Sequence, residues 1–210
     1  MIYKMKHKPL YHYKQEILNT HFNDKEFARL MFSLKNTVDS ATVFAIYNDM
    51  HSFSTVYDKY FFGNLFPKSI EELGCGNGYF FKPKSISNEI SWLFVQISIY
   101  REKLQSYTEI RNSVERNILL GYYDEAIELL DKSIELFGYS IWYFESKILI
   151  YSLSNKEENI YKLLSEINER KKDAKTGFVT FLLHYLYKRS SQTNSAFNFD
   201  VELASKFKMN

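Results

Sequence analysis

Residues that break helices are scarce in this chain, whose 210 residues include only seven glycines and three prolines. A sandwich or barrel of β-strands needs a turn roughly every ten residues, and Gly and Pro are what make such turns. The shortage therefore excludes a turn-dense all-β chain and favours helices. Cysteine occurs once, at Cys75, which excludes an internal disulfide and a cysteine-based metal site and sets a reducing, cytoplasmic compartment as the expectation. Between two glycines and with no base near it in sequence, Cys75 reads as a lone structural thiol. An excess of one charge is lacking too. The 27 Lys and Arg against 25 Asp and Glu leave a net +2, far from the concentrated basic surface that neutralises phosphates, so nucleic acid is not an expected partner. Long apolar runs are absent. The longest, Trp92 to Tyr100, has nine residues and contains Gln96, where a bilayer span needs about 20. The basic start, Met1 to Pro9, is followed by Tyr11-His12-Tyr13-Lys14-Gln15-Glu16 rather than by a signal-peptide core. Neither export nor a membrane is expected.

Catalytic constellations are missing as well. The five histidines, His7, His12, His21, His51 and His184, show no i, i+4 pairing with one another and no metal-binding motif. No paired carboxylates, Ser-His-Asp order or phosphate loop stands out. Arg170-Lys171-Lys172 ends a stretch that opens with Glu157-Glu158, an arrangement that complements a helix dipole at both ends.

What is present is apolar and aromatic. Hydrophobic residues make up 45% of the chain, charged residues 25%, and aromatics 18%, with 17 Tyr and 18 Phe. That is ordinary globular usage with an aromatic surplus. Lys outnumbers Arg 21 to 6 and Ala occurs seven times, a bias that suggests an AT-rich, bacterial genome. The expected fold class is all-α, a helical amino-terminal part followed by antiparallel helix hairpins. Helices are expected near 12–20, 23–36, 40–49 and 52–62, the second with Phe27, Leu30, Met31 and Leu34 on one face behind Asn23-Asp24. Residues 1–62 thus form a helical region. The window 63–86, holding Gly74, Gly76 and Gly78 with Pro67 and Pro83, reads as an irregular connector, and 87–210 as a second helical region with a short polar segment at 190–199.

In that second region Ile90, Leu93, Phe94, Ile97 and Leu104 share a helix face, continued by Ile110, Val114 and Ile118 to Gly121. Tyr123, Ala126, Ile127, Leu130, Ile134 and Phe137 follow, ending at Gly138, which suits the left-handed position just past a helix. Ser140 can cap the next helix, with Ile141, Phe144, Ile148 and Tyr151 as its stripe. Asn155 and Glu158 have capping-box spacing before Ile160, Leu163, Leu164 and Ile167. A further helix is expected over 174–188 and a short closing one over 201–207.

A shift of 34 residues superposes these helices and turns: Gly121 on Asn155, Ala126 on Ile160, Leu130 on Leu164, Ser133 on Ile167. The run from Gly121 to Leu136 resembles the second helix of a tetratricopeptide repeat (TPR), a family whose glycine opens the inter-helix turn and whose aromatic and small residues let helices pack closely. About two and a half degenerate repeats span 105–190. Phe144 and Tyr151 stand where that family has aromatics, whereas Lys147-Ile148 replaces its Leu-Gly and Gly138 its terminal Pro. The resemblance implies a non-catalytic module that binds a protein or peptide partner, with no cofactor, along the first helices of the hairpins. The shift groups Thr108 with Trp142 and Thr176, and Arg111 with Glu145 and Val179. Thr108, Arg111, Trp142, Glu145 and Thr176 are the candidate groove residues, with Trp142 and Val179 also suited to packing between helices. Oligomeric state is not readable from these patterns.

The segment Ser69 to Phe80 resembles the first motif of class I S-adenosylmethionine-dependent methyltransferases. This alternative implies S-adenosylmethionine as cofactor, cradled by Gly74, Gly76 and Gly78, with Glu72 at a strand end and a second strand over Trp92 to Ile99. The expected buried strand before the glycines, Lys68 to Leu73, has only two apolar residues in six, and Gln96 falls where that family has an acid.

Overall fold

Every regular element among the described residues is helical, with no strand, in a computed structural model that describes residues 24–37, 43–53, 58, 63–73, 85–169, 179, 182–188 and 201. Among the described residues the α-helices are α1 (Asp24–Thr37), α2 (Val43–Phe53), α3 (Ile86–Ile99), α4 (Arg101–Leu120), α5 (Tyr123–Phe137), α6 (Ile141–Leu153) and α7 (Glu157–Glu169), with a 3₁₀ turn at Ile70–Glu72. Residues 182–188 are also helical. The all-α expectation holds. The expected helix at 12–20, most of those at 52–62 and 201–207, and the polar segment 190–199 lie outside the described residues.

Backbone contacts group the chain into two units, one of Met1–Leu65 with Gly76–Arg101, the other of Phe66–Cys75 with Glu102–Asn210. This division differs from the sequence-based one, because α3 joins the first unit and residues 66–75 join the second.

In the first unit, α2 buries Val43, Tyr47 and Met50, one stripe at i, i+4 and i+7, and packs on α3, which buries Trp92 and Val95. Helix α3 opens on Ser85, whose side chain accepts a hydrogen bond from the backbone N–H of Asn88 at 3.5 Å. The far end of α1 shows why these elements adhere. A helix leaves its last carbonyls without intrahelical partners, and the Lys35 carbonyl accepts from Trp92 Nε1 at 3.0 Å and Asn88 Nδ2 at 2.6 Å. Lys35 Nζ adds an ion pair to Glu89 at 2.6 Å. Two side chains of α3 thus cap α1, and a third holds it by charge. The sequence pattern runs through residue 100 without a break, but the helix ends there: Tyr100 adopts φ −95° and ψ 15°, its N–H bonded back to the Gln96 carbonyl, and α4 starts afresh at Arg101.

In the second unit, one core gathers Ile70 and Leu73 from the 3₁₀ segment, Val114 from α4, Ala126 and Leu130 from α5, Phe144, Ile148 and Ile150 from α6, and Ile160, Leu164 and Ile167 from α7, with Val179 and Leu183 beyond. Helix α5 packs on α6 and α6 on α7. Gly138 ends α5 with φ +79°, as its position past the last periodic residue predicts. A Cβ there would lie 2.1 Å from the Pro67 carbonyl oxygen, the same oxygen that accepts the Tyr139 N–H at 2.8 Å. Residues 66–69 are therefore laid against the α5–α6 corner, which only glycine permits. Ser140 caps α6 as expected, accepting from the Tyr143 N–H at 3.1 Å. The expected capping box at Asn155 does not form. A capping residue needs extended backbone, but Asn155 has φ +55° and helix α7 begins two residues later, at Glu157.

The 34-residue periodicity has a concrete structural counterpart. At the α4–α5 turn, Gly121 N–H bonds Ile118 O at 3.2 Å and Tyr122 N–H bonds Asn117 O at 2.9 Å; at the α6–α7 turn, Asn155 N–H bonds Ser152 O at 3.3 Å and Lys156 N–H bonds Tyr151 O at 2.8 Å. Each bond in one turn falls on its counterpart after the shift, and Gly121 (φ +79°) and Asn155 (φ +55°) are both left-handed. Helices α5 and α7 then start at equivalent residues, and Ala126, Leu130 and Ser133 are buried like Ile160, Leu164 and Ile167. The third helix departs from this register by one residue. The buried Phe144, Ile148 and Ile150 of α6 find their counterparts in the buried Val179, Leu183 and Tyr185, which are 35 residues on rather than 34.

Candidate functional site

Aromatic and charged side chains of α4 and α6 meet around Trp142. Tyr107 of α4 meets Trp142 of α6 edge to face, ring centroids 5.5 Å apart, and Phe137 likewise at 5.3 Å. One turn further along α4, Arg111 holds its guanidinium 5.9 Å from the centre of the Trp142 ring and donates to Glu115 at 2.8 Å. Its pKa is raised by the Glu115 hydrogen bond and charge, with Glu145 of α6 contributing a further attraction. Burial raises the pKa of the Tyr107 phenol. Of the five candidate groove residues, Arg111, Trp142 and Glu145 are thereby brought together. Thr108 is exposed on the same helix, its hydroxyl donating to the Leu104 carbonyl at 2.9 Å. Thr176 lies outside the described residues. Val179 is buried in the core and takes no part in the face.

Trp142 is half-buried, with its inner edge on Tyr107 and the core and the rest beside an exposed cation and anion. An indole held in this way is a rigid apolar platform that costs little entropy to present, and the opposed charges beside it offer both a donor fork and an acceptor. Behind it, the α5–α6 interface is fixed by a buried-edge network. The Tyr143 hydroxyl donates to Asp131 Oδ1 at 3.0 Å, and Lys147 Nζ reaches the same oxygen at 2.8 Å and the Tyr143 hydroxyl at 2.7 Å. Burial, reinforced by Asp131, keeps Tyr143 protonated well above the usual phenol range. One turn before Tyr107 on α4, Lys103 sits 3.6 Å from the centre of the Phe66 ring, its pKa lowered by burial and by Lys68.

A second polar cluster, in the first unit, has no counterpart in the sequence-based reading. The Asp58 carboxylate accepts from Tyr47 Oη at 2.6 Å and from Tyr100 Oη at 2.7 Å, and lies 3.0 Å from His51 Nδ1. The His51 ring stacks on Tyr47, with centroids 5.4 Å apart. Burial and the Asp58 bond push the Tyr100 phenol up to about 12, and Tyr47 is raised further for the same reasons. The i, i+4 spacing of Tyr47 and His51 was visible in sequence, but the convergence of Asp58 and Tyr100 on them was not. With every group engaged by its neighbours, the cluster locks α2 against the C-terminus of α3.

The residues assigned to S-adenosylmethionine separate differently. Glu72 sits in the 3₁₀ turn, where its carboxylate accepts the Lys68 backbone N–H at 2.7 Å. Gly74, Gly76 and Gly78, with Cys75, lie outside the described residues. Of the two segments that this reading requires as strands, Lys68 to Leu73 holds the 3₁₀ turn Ile70–Glu72 and Trp92 to Ile99 lies within α3. Among the described residues no group of His, Cys, Asp and Glu could hold a metal ion, and no helix is long and apolar enough to cross a membrane. No protein-family model, curated protein or solved structure matches the chain.

Proposed function

We propose that this chain is a non-catalytic interaction module, a TPR-like array of helical hairpins over residues 105–190 that binds a protein or peptide partner, serving as an accessory subunit of a bacterial complex. The observation that carries this reading is the 34-residue repetition of one turn, down to its two hydrogen bonds and its left-handed residue. Stacked hairpins of this kind place their first helices side by side, and what such a row does is display side chains. The face displayed here is built from Thr108, Arg111, Trp142 and Glu145. Its aromatic and arginine content is that of residues that dominate protein interfaces, and the flanking acids restrict what it accepts. A partner would lay an apolar side chain against Trp142 and pair its own charges with Arg111 and Glu145.

Capture from the native host tests this with two baits, the wild type and Arg111→Glu/Trp142→Ala. A stoichiometric protein retained by the first and lost from the second, with both baits equally helical, is the expected result. Identical captures would exclude this face. Tight S-adenosylmethionine binding in calorimetry, abolished by Gly76→Asp, would instead favour the methyltransferase.

A further inference from the structure

Helix α3 has two apolar sides, and only one is covered. Trp92 and Val95, 1% and 4% exposed, face the body of their unit. On the other side Ile86, Ile90, Leu93, Phe94 and Ile97 are 80%, 47%, 51%, 64% and 44% exposed. Four of these, Ile86, Ile90, Leu93 and Ile97, are separated by four, three and four residues, the alternation of a coiled-coil seam rather than of a helix lying on a broad core. Such a seam is shaped for another helix. Phe94 flanks it.

We infer that this face pairs with α3 of a second copy of the chain. Charge permits it. The helix carries a single ionisable residue, Glu89, which is turned to Lys35 in an ion pair, so two copies meet without like charges in the seam. Area supports it too. Side chains of this size offer on the order of 150–200 Å² each when fully open, so the five exposures amount to about 500 Å², within the range of the largest patch a monomer carries. Two such faces bury about 1,000 Å² in total, the area that a biological interface needs to reach. Leu93 lies beside the midpoint of the helix, so in either a parallel or an antiparallel two-fold pair it meets its own counterpart.

Light scattering behind size exclusion reads the outcome on the full chain. The wild type should have about twice the 25.0 kDa of one chain at concentrations up to about 100 µM. Leu93→Glu and Leu93→Lys should each run as a folded monomer, and mixing the two should restore the doubled mass through the opposed charges. A wild type that stays monomeric over that range overturns the proposal, whether the face then takes lipid or another protein's helix. So does a dimer that survives either charge. Loss of folding in both variants also contradicts it, since a face open to solvent tolerates a charged side chain.

Discussion

Gly121 and Gly138 share a positive φ of +79° but not a neighbourhood. A Cβ on Gly121 meets nothing within 4 Å, whereas one on Gly138 strikes the Pro67 carbonyl. Gly121→Ala should therefore cost only the left-handed penalty of about 1 kcal/mol, and Gly121→Asn less, since Asn155 fills the equivalent place. Gly138→Ala must displace a backbone segment as well and should cost about 3 kcal/mol or more; urea denaturation of the three variants gives the ranking. Both glycines were legible as helix ends because the apolar period stops at them, while the Pro67 contact was not, because it joins segments far apart in sequence. The Asp58 cluster was hidden for the same reason. Its effect is on alkaline stability. A phenol raised in the fold from 10.0 to about 12, as at Tyr100, contributes stability that is whole below the unfolded value and lost as pH rises through the folded one. The urea midpoint should hold to about pH 10 and fall toward pH 12, with Tyr100→Phe less stable at neutral pH and flatter over that window.

At the scale of elements, adjacent residues of α3 should behave oppositely. Trp92 is buried and its indole caps the Lys35 carbonyl, so Trp92→Ala should destabilise by about 3–5 kcal/mol and Trp92→Phe by about 1 kcal/mol. Leu93 is open, and Leu93→Ala should stay within about 0.5 kcal/mol. Thermal or urea unfolding at a concentration low enough to keep the chain monomeric checks the pair. Periodicity found this helix from sequence, but a helix apolar on two sides does not announce which side meets the core. The stripe singled out in sequence, Ile90 to Ile97, is the exposed one, because α2 covers Trp92 and Val95 instead. The hairpin helices were easier to read, since α5 and α7 are apolar on one side only and buried Ala126, Leu130, Ile160 and Leu164 match their stripes. Asn155 is the instructive error. Its spacing to Glu158 imitates a capping box, yet its position equivalent to Gly121 assigns it to the turn, so the repeat was the stronger signal of the two.

For the whole molecule, Arg111 of α4 lies beside Trp142 and feels the charge of Glu145, both of α6. The Arg111–Glu145 pairing could be read from a 34-residue shift, whereas the placing of Arg111 beside Trp142 could not, because the shift pairs Trp142 with Thr108. Val179, whose burial matches Phe144 at a spacing of 35 rather than 34, falls in the core rather than on the face. If the face around Trp142 receives a protein, site-specific photo-crosslinking in the native host traps that protein in place. A photoreactive residue replacing Thr108, exposed beside Arg111, should yield one discrete adduct above 25.0 kDa, while the same residue at exposed Lys162 on α7 should yield none. No adduct at Thr108, or an equal one at Lys162, would contradict the account.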